Sequence, residues 1–150
     1  MKTGRLLLLE NEPGTLRLLA FLLSEKHLVH LEIFGGRVVA AVKQVKPELI
    51  VADVGILPAK AVRCLQEIRA IREYSTIPAI ALRPSGSSLE EQDFLSAGFQ
   101  AVFTKPILDR QAVFDVVESL LSAAASEKSW PGDSEKADRR AVDDPSSLAS

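Results

Sequence analysis

Glu10-Asn11-Glu12, Asp53 and Lys105-Pro106 each close a short hydrophobic run in this chain. The runs are Leu6-Leu7-Leu8-Leu9, Leu49-Ile50-Val51-Ala52 and Val102-Phe103-Thr104. Runs this short, bounded by turn residues and separated by helical patterns, read as buried parallel strands. Ligands of such sheets sit outside the carboxyl ends of the strands. Acids, an amide and a lysine would then share one crevice. The simplest chemistry there is an ion pair, in which Lys105 neutralises Asp53 and ties two loops together. Arg83 ends another such run and could join them, because a guanidinium stays charged and forks onto carboxylates.

The elements that must place these residues alternate along the chain. Leu6–Leu9 is a first strand. Pro13 suits a first helical position, with Leu16, Leu19, Ala20 and Leu23 at helical spacing after it. Leu28–Phe34 reads as a second strand and Gly35-Gly36 as a break. Val38, Ala41, Val42 and Val45 form a helical stripe that Pro47 stops. Leu49–Asp53 is the third strand. A helix with Cys64 and Leu65 inward follows Pro58, and Ala79–Leu82 is the fourth strand. Ser88 with Glu91 predicts a capping box, Gly98 a helix end, Ala101–Thr104 a fifth strand and Asp109 the cap of a last helix. Alternation of this kind implies parallel pairing with right-handed crossovers.

Composition bounds the rest. The chain has 150 residues, 47% hydrophobic and 25% charged, which suits one domain with a real core. The net charge of -2 and the absence of a basic patch or helix-turn-helix pattern argue against nucleic acid. Cys64 alone cannot form an internal disulfide, and Glu10 interrupts the first leucine run too early for a membrane span. The expectation is a cytoplasmic protein with no membrane partner. Residues 1–125 should form the domain and 126–150 a disordered polar tail. His27 and His30 lack partners at metal spacing and should lie at the surface or an edge.

At this point the residues resemble the receiver domain of two-component response regulators, and resemble it atypically. The likeness covers about Lys2 to Ala125. It rests on Leu-Leu-Leu-Leu-Glu-Asn-Glu-Pro at 6–13, Lys-Pro-Glu-Leu-Ile-Val-Ala-Asp at 46–53, Ile-Pro-Ala-Ile-Ala-Leu at 77–82 and Ala-Gly-Phe-Gln-Ala-Val-Phe-Thr-Lys-Pro at 97–106. It implies an α/β, flavodoxin-like doubly wound (βα)5 fold with a five-stranded parallel sheet in the order 2-1-3-4-5. It further implies a phosphoryl pocket in which an aspartate attacks a phosphohistidine, magnesium neutralises the phosphoryl oxygens and a lysine pairs with the product.

Carried over by residue, the resemblance makes Asp53 the phosphoacceptor and Lys105 the phosphoryl-pairing lysine. Glu10 and Asn11 fall on the acidic pair, and Gly55 on the backbone-carbonyl metal ligand. Asn11 lacks a charge and Glu10 is long, so magnesium should bind weakly. Leu57 replaces a usual proline. Arg83 stands where the switch hydroxyl belongs and Val102 where the switch aromatic belongs. The implied function is phosphorelay signalling through Asp53 without an attached output domain. The partners would be a histidine kinase or phosphotransfer protein and a downstream protein target, with a homodimer through the last two helices as a further possibility. The alternative is a degenerate receiver that works as a phosphorylation-independent interaction module. Enzyme chemistry has little support: the loop Glu-Asn-Glu-Pro-Gly is no phosphate cradle, and no serine sits in a nucleophile elbow.

Overall fold

The computed structural model describes residues 3–55 and 58–128. The strands are β1 (Arg5–Glu10), β2 (Leu28–Ile33), β3 (Leu49–Asp53), β4 (Ala79–Arg83) and β5 (Ala101–Thr104). The helices are α1 (Arg17–Leu23), α2 (Val38–Val45), α3 (Ala59–Arg69), α4 (Glu91–Ser96) and α5 (Arg110–Lys128), with a 3₁₀ turn at Arg72–Tyr74. All pairings are parallel and the strand order is β2-β1-β3-β4-β5, the flavodoxin-like order that the sequence implied. Of the described residues, those up to 117 make one compact unit, and 118–128 fall in a second. Leu57 and the expected tail beyond residue 128 lie outside the described residues. The helix α5 runs to Lys128, past the domain end expected at Ala125.

Alternation along the strands sorts the core into two layers. Leu7 and Leu9 of β1, Ile50 and Ala52 of β3 and Ala79 and Ala81 of β4 pack with Val38 and Val42 of α2, with Cys64, Leu65 and Ile68 of α3, and with Phe94 of α4. The alternate residues Leu6, Leu8, Leu49, Val51, Ile80 and Leu82 are also fully buried, on the opposite face. Burial on both sides explains why these strands read as continuous apolar runs rather than alternating ones. β2 is one of the two edge strands, and Leu28, Leu31 and Ile33 remain partly exposed there. Phe94 and Phe99 meet edge to face with centroids 6.1 Å apart, which adds a directional contact to their burial.

Several local expectations change. α1 begins at Arg17, because Pro13 and Gly14 (φ 90°) sit in a turn before it. The capping box of α4 is formed by Glu90 and Asp93, not Ser88 and Glu91: the Glu90 N–H donates to Asp93 Oδ2 at 2.8 Å. Asp109 does cap α5, accepting from the Ala112 N–H at 3.1 Å. His27 is buried, not at the surface, and its Nδ1 accepts from the Gly4 N–H at 3.0 Å. His30 is partly exposed on the edge strand and lies 3.3 Å from Glu32.

Gly98 (φ 112°) ends α4, and a Cβ there would lie 2.6 Å from the Arg69 guanidinium. That close approach is functional for the fold. Arg69 donates to the Gly98 carbonyl at 2.8 Å and to the Ile77 carbonyl at 2.8 Å, tying α3 to the entries of both β4 and β5. Burial lowers the Arg69 pKa from its ordinary value, the expected direction for a cation removed from water.

Candidate functional site

The site lies at the carboxyl ends of β1, β3 and β5. Lys105 directly follows β5, and its Nζ donates to Asp53 Oδ1 at 2.6 Å. The peptide between Lys105 and Pro106 is cis. Asp53 is 1% exposed and Lys105 31%. The sequence therefore placed this pair correctly. The second carboxylate oxygen of Asp53, Oδ2, is buried without a hydrogen-bond partner among the described residues. An ionised carboxylate held by a single lysine in this way is under-solvated.

Glu10 is brought to the same end of the sheet but is engaged elsewhere. Its Oε2 accepts from the Gly14 N–H at 3.1 Å and the Leu16 N–H at 3.0 Å. The side chain is buried and organises the loop leading into α1. A glutamate suits this task because its extra methylene reaches the loop backbone. Asn11 is exposed, and its side chain lies over Gly55 (φ 68°), where a Cβ would meet it at 2.8 Å. Gly55 thus provides both the left-handed turn after β3 and room for the amide.

Arg83 does not join the cluster. The pairing explains why: Asp53 is in register with Leu82, and Arg83, one step on, is in register with Thr104. Successive side chains point to opposite faces, so Arg83 leaves on the side away from Asp53. Its Nε donates to Thr104 Oγ1 at 3.0 Å and its guanidinium to the Leu89 carbonyl at 2.8 Å. It is neither a partner of Asp53 or Glu10 nor a free surface charge, but a strap between β4, β5 and the loop before α4. The sequence reading missed Thr104 and the Leu89 carbonyl as its partners. Val102 sits within β5, half-buried against the core layer of α3 and α4.

Magnesium requires near-octahedral oxygen coordination, usually with one or two carboxylates. Here Asp53 holds one oxygen on Lys105, Glu10 holds one on two backbone amides, and Asn11 brings no charge. No group of three His, Cys, Asp or Glu among the described residues is arranged to hold a metal ion. This donor set does not fit magnesium well, and no chemical step below is routed through it.

Comparison with known proteins accords with the geometry. No protein-family model matches the chain. The sensor protein GacS of Pseudomonas syringae pv. syringae is 30% identical over 114 residues, covering 73% of this chain and 13% of that protein. The transcriptional regulatory protein GlrR of Escherichia coli strain K12 is 26% identical over 132 residues, covering 86% of this chain and 29% of the regulator. The chain thus spans well under a third of either relative. Among solved structures, the signal receiver domain of a signal transduction histidine kinase from Syntrophus aciditrophicus superimposes with a TM-score of 0.67 at 23% identity, covering 81% of this chain and 92% of that one.

By sheet order and by these likenesses, the chain has the receiver-domain fold of two-component response regulators. The positions where the resemblance expects a switch hydroxyl, a switch aromatic and an acidic pair hold Arg83, Val102, Glu10 and Asn11. No helix among the described residues is long and apolar enough to cross a membrane.

Proposed function

We propose that this receiver acts as a phosphorylation-independent interaction module in two-component signalling. The observation that carries the reading is the Arg83 strap. A receiver that switches draws a hydroxyl from the end of β4 toward a new phosphoryl group, whereas here that position holds a guanidinium bonded to Thr104 and Leu89 on the face away from Asp53. With Val102 at the aromatic position, no ring is available to follow. The Asp53–Lys105 ion pair then serves as a fixed internal brace rather than a reaction centre. Magnesium, on this reading, binds weakly or not at all.

The proposed partners are proteins: a histidine kinase or phosphotransfer protein upstream and a protein target downstream. α1 exposes Leu18 and Phe21, and the loop between β5 and α5 exposes Leu108 at 90%. Large apolar side chains left in water at this end of the domain support docking of another protein. Neither nucleic acid nor catalysis enters the proposal.

A second reading, phosphoryl acceptance on Asp53, draws support from the unpartnered Oδ2 beside a correctly placed lysine. Intact-mass analysis after incubation with acetyl phosphate and magnesium separates the two. The expected result is no phosphoryl adduct on the wild-type chain. An adduct that disappears in Asp53→Asn would overturn the proposal in favour of the second reading. Arg83→Thr combined with Asn11→Asp should gain an adduct if those side chains are what disabled an otherwise complete pocket.

A further inference from the structure

A cavity of about 330 Å³ opens beside the ion pair, between α1 and the segment joining β5 to α5. Its walls are Leu16, Leu18, Leu19 and Leu22 on one side and Leu82, Pro106 and Ile107 on the other. The polar groups at its edge are Thr15, Lys105 and Arg110, so two cations line it and no acid does. Small-molecule sites are mostly apolar concavities of roughly 300–1,000 Å³ with a few fixed polar groups. This cavity is at the small end of that range.

The lining carries two cations and no acid. Asp53 neutralises Lys105 through Oδ1. Among the described residues no ion pair is recorded for Arg110. Both cations of the lining therefore keep N–H donors for a ligand, and no acid lies among the lining residues. Lys105 also has N–H donors beyond the one that Asp53 takes. Glu10 is turned into the loop amides and Asp109 caps the first turn of α5, and neither is part of the lining.

We propose that this cavity binds a small amphipathic monoanion: a carboxylate on a short aliphatic body. The carboxylate lies against Arg110 and the free side of Lys105. The aliphatic body lies among Leu18, Leu19, Leu22 and Ile107. The size of the cavity suits a short chain, its walls are apolar, and one carboxylate can accept from both cations of the lining. A receiver whose phosphoryl switch is dismantled would thereby have a chemical input at the same end of the sheet. The site does not depend on whether Asp53 accepts a phosphoryl group.

The test titrates octanoate into the full chain and follows the methyl resonances of Leu18, Leu19, Leu22 and Ile107 by NMR. Octan-1-ol serves as the uncharged control. The expected result is saturable shifts of those methyls with octanoate, and at least about tenfold weaker binding of octanol, the difference one charge-assisted contact supplies. Arg110→Gln, an exposed substitution, should weaken octanoate about tenfold and leave octanol unchanged. Leu18→Glu, also exposed, should abolish both. No saturable response at these methyls in the unaltered chain would overturn the proposal. So would octanol binding as tightly as octanoate, or an Arg110→Gln variant that binds octanoate like the wild type.

Discussion

At the scale of single residues, the site is governed by what each carboxylate is bonded to. Asp53 is buried with one oxygen on Lys105 and one oxygen without a partner. Removing the lysine leaves a buried charge uncompensated, whereas removing the acid leaves a lysine that can still reach water at 31% exposure. Lys105→Ala should therefore cost on the order of 2–4 kcal/mol in urea unfolding, and Asp53→Asn less than about 2 kcal/mol. Equal losses would show that the pair is solvated well enough to be neutral in both directions. Glu10→Gln replaces a charged acceptor of two loop amides by a neutral one. It should lower stability by about 1–2 kcal/mol in thermal melts.

The Cys64 thiol is pushed up to about 11 from its ordinary 9.0, first by burial and second by the nearby Glu67 carboxylate. The raised pKa means that the folded state holds the thiol proton more tightly than the unfolded state does. Its contribution to stability is therefore complete below pH 9.0 and is lost as pH rises through about 11. At pH 8 the thiol should react with a disulfide reagent only at the rate of unfolding. Rapid stoichiometric labelling of the native chain would contradict its burial.

At the scale of elements, strand types were legible because buried parallel strands leave short apolar runs between helical stripes, as Leu6–Leu9 and Leu49–Ala52 do, while the strand order came from the resemblance to receiver domains. The meeting of Asp53 with Lys105 followed from those runs ending together. The direction of Arg83 did not follow. It depends on the register that pairs Leu82 with Asp53, and a shift of one residue reverses the face. The loop contacts of Glu10 did not follow either: its partners, the Gly14 and Leu16 amides, are backbone groups that carry no residue-type signal. The same holds for the cap of α4, where Glu90 and Asp93 displaced the expected Ser88 and Glu91.

The junction of α3, α4 and β5 gives a prediction at this scale. Gly98 has φ 112°, and an added Cβ would collide with Arg69. Gly98→Ala should destabilise the domain by about 1–3 kcal/mol through backbone strain and displacement of that guanidinium. Loss of native signal at Gln100 and Ala79 in hydrogen exchange would locate the damage, since the Gln100 side chain accepts from the Ala79 N–H at 2.7 Å. An unchanged denaturation midpoint would show that the turn can relax at no cost.

At the scale of the whole molecule, the proposed reading is a receiver fold that works without its phosphoryl switch. The sheet order is the receiver order, and the acid at the end of β3 is joined to the lysine after β5. A ligand can bias a conformational equilibrium only by interacting differently with its two states. With Arg83 fastened to Thr104 and Leu89, and Val102 packed in place of a ring, a phosphoryl group on Asp53 would find no mobile side chain to recruit. The domain is accordingly read as a fixed surface offered to other proteins, with exposed Leu18, Phe21 and Leu108 at the end where the site lies.

The most direct measurement of this claim is an amide NMR titration with beryllofluoride and magnesium, which together imitate a bound phosphoryl group. The account predicts no saturable shift at Asp53, Leu89, Arg83 or Lys105. Saturable shifts spreading from Asp53 through Arg83 to Leu89, and absent in Asp53→Asn, would contradict it.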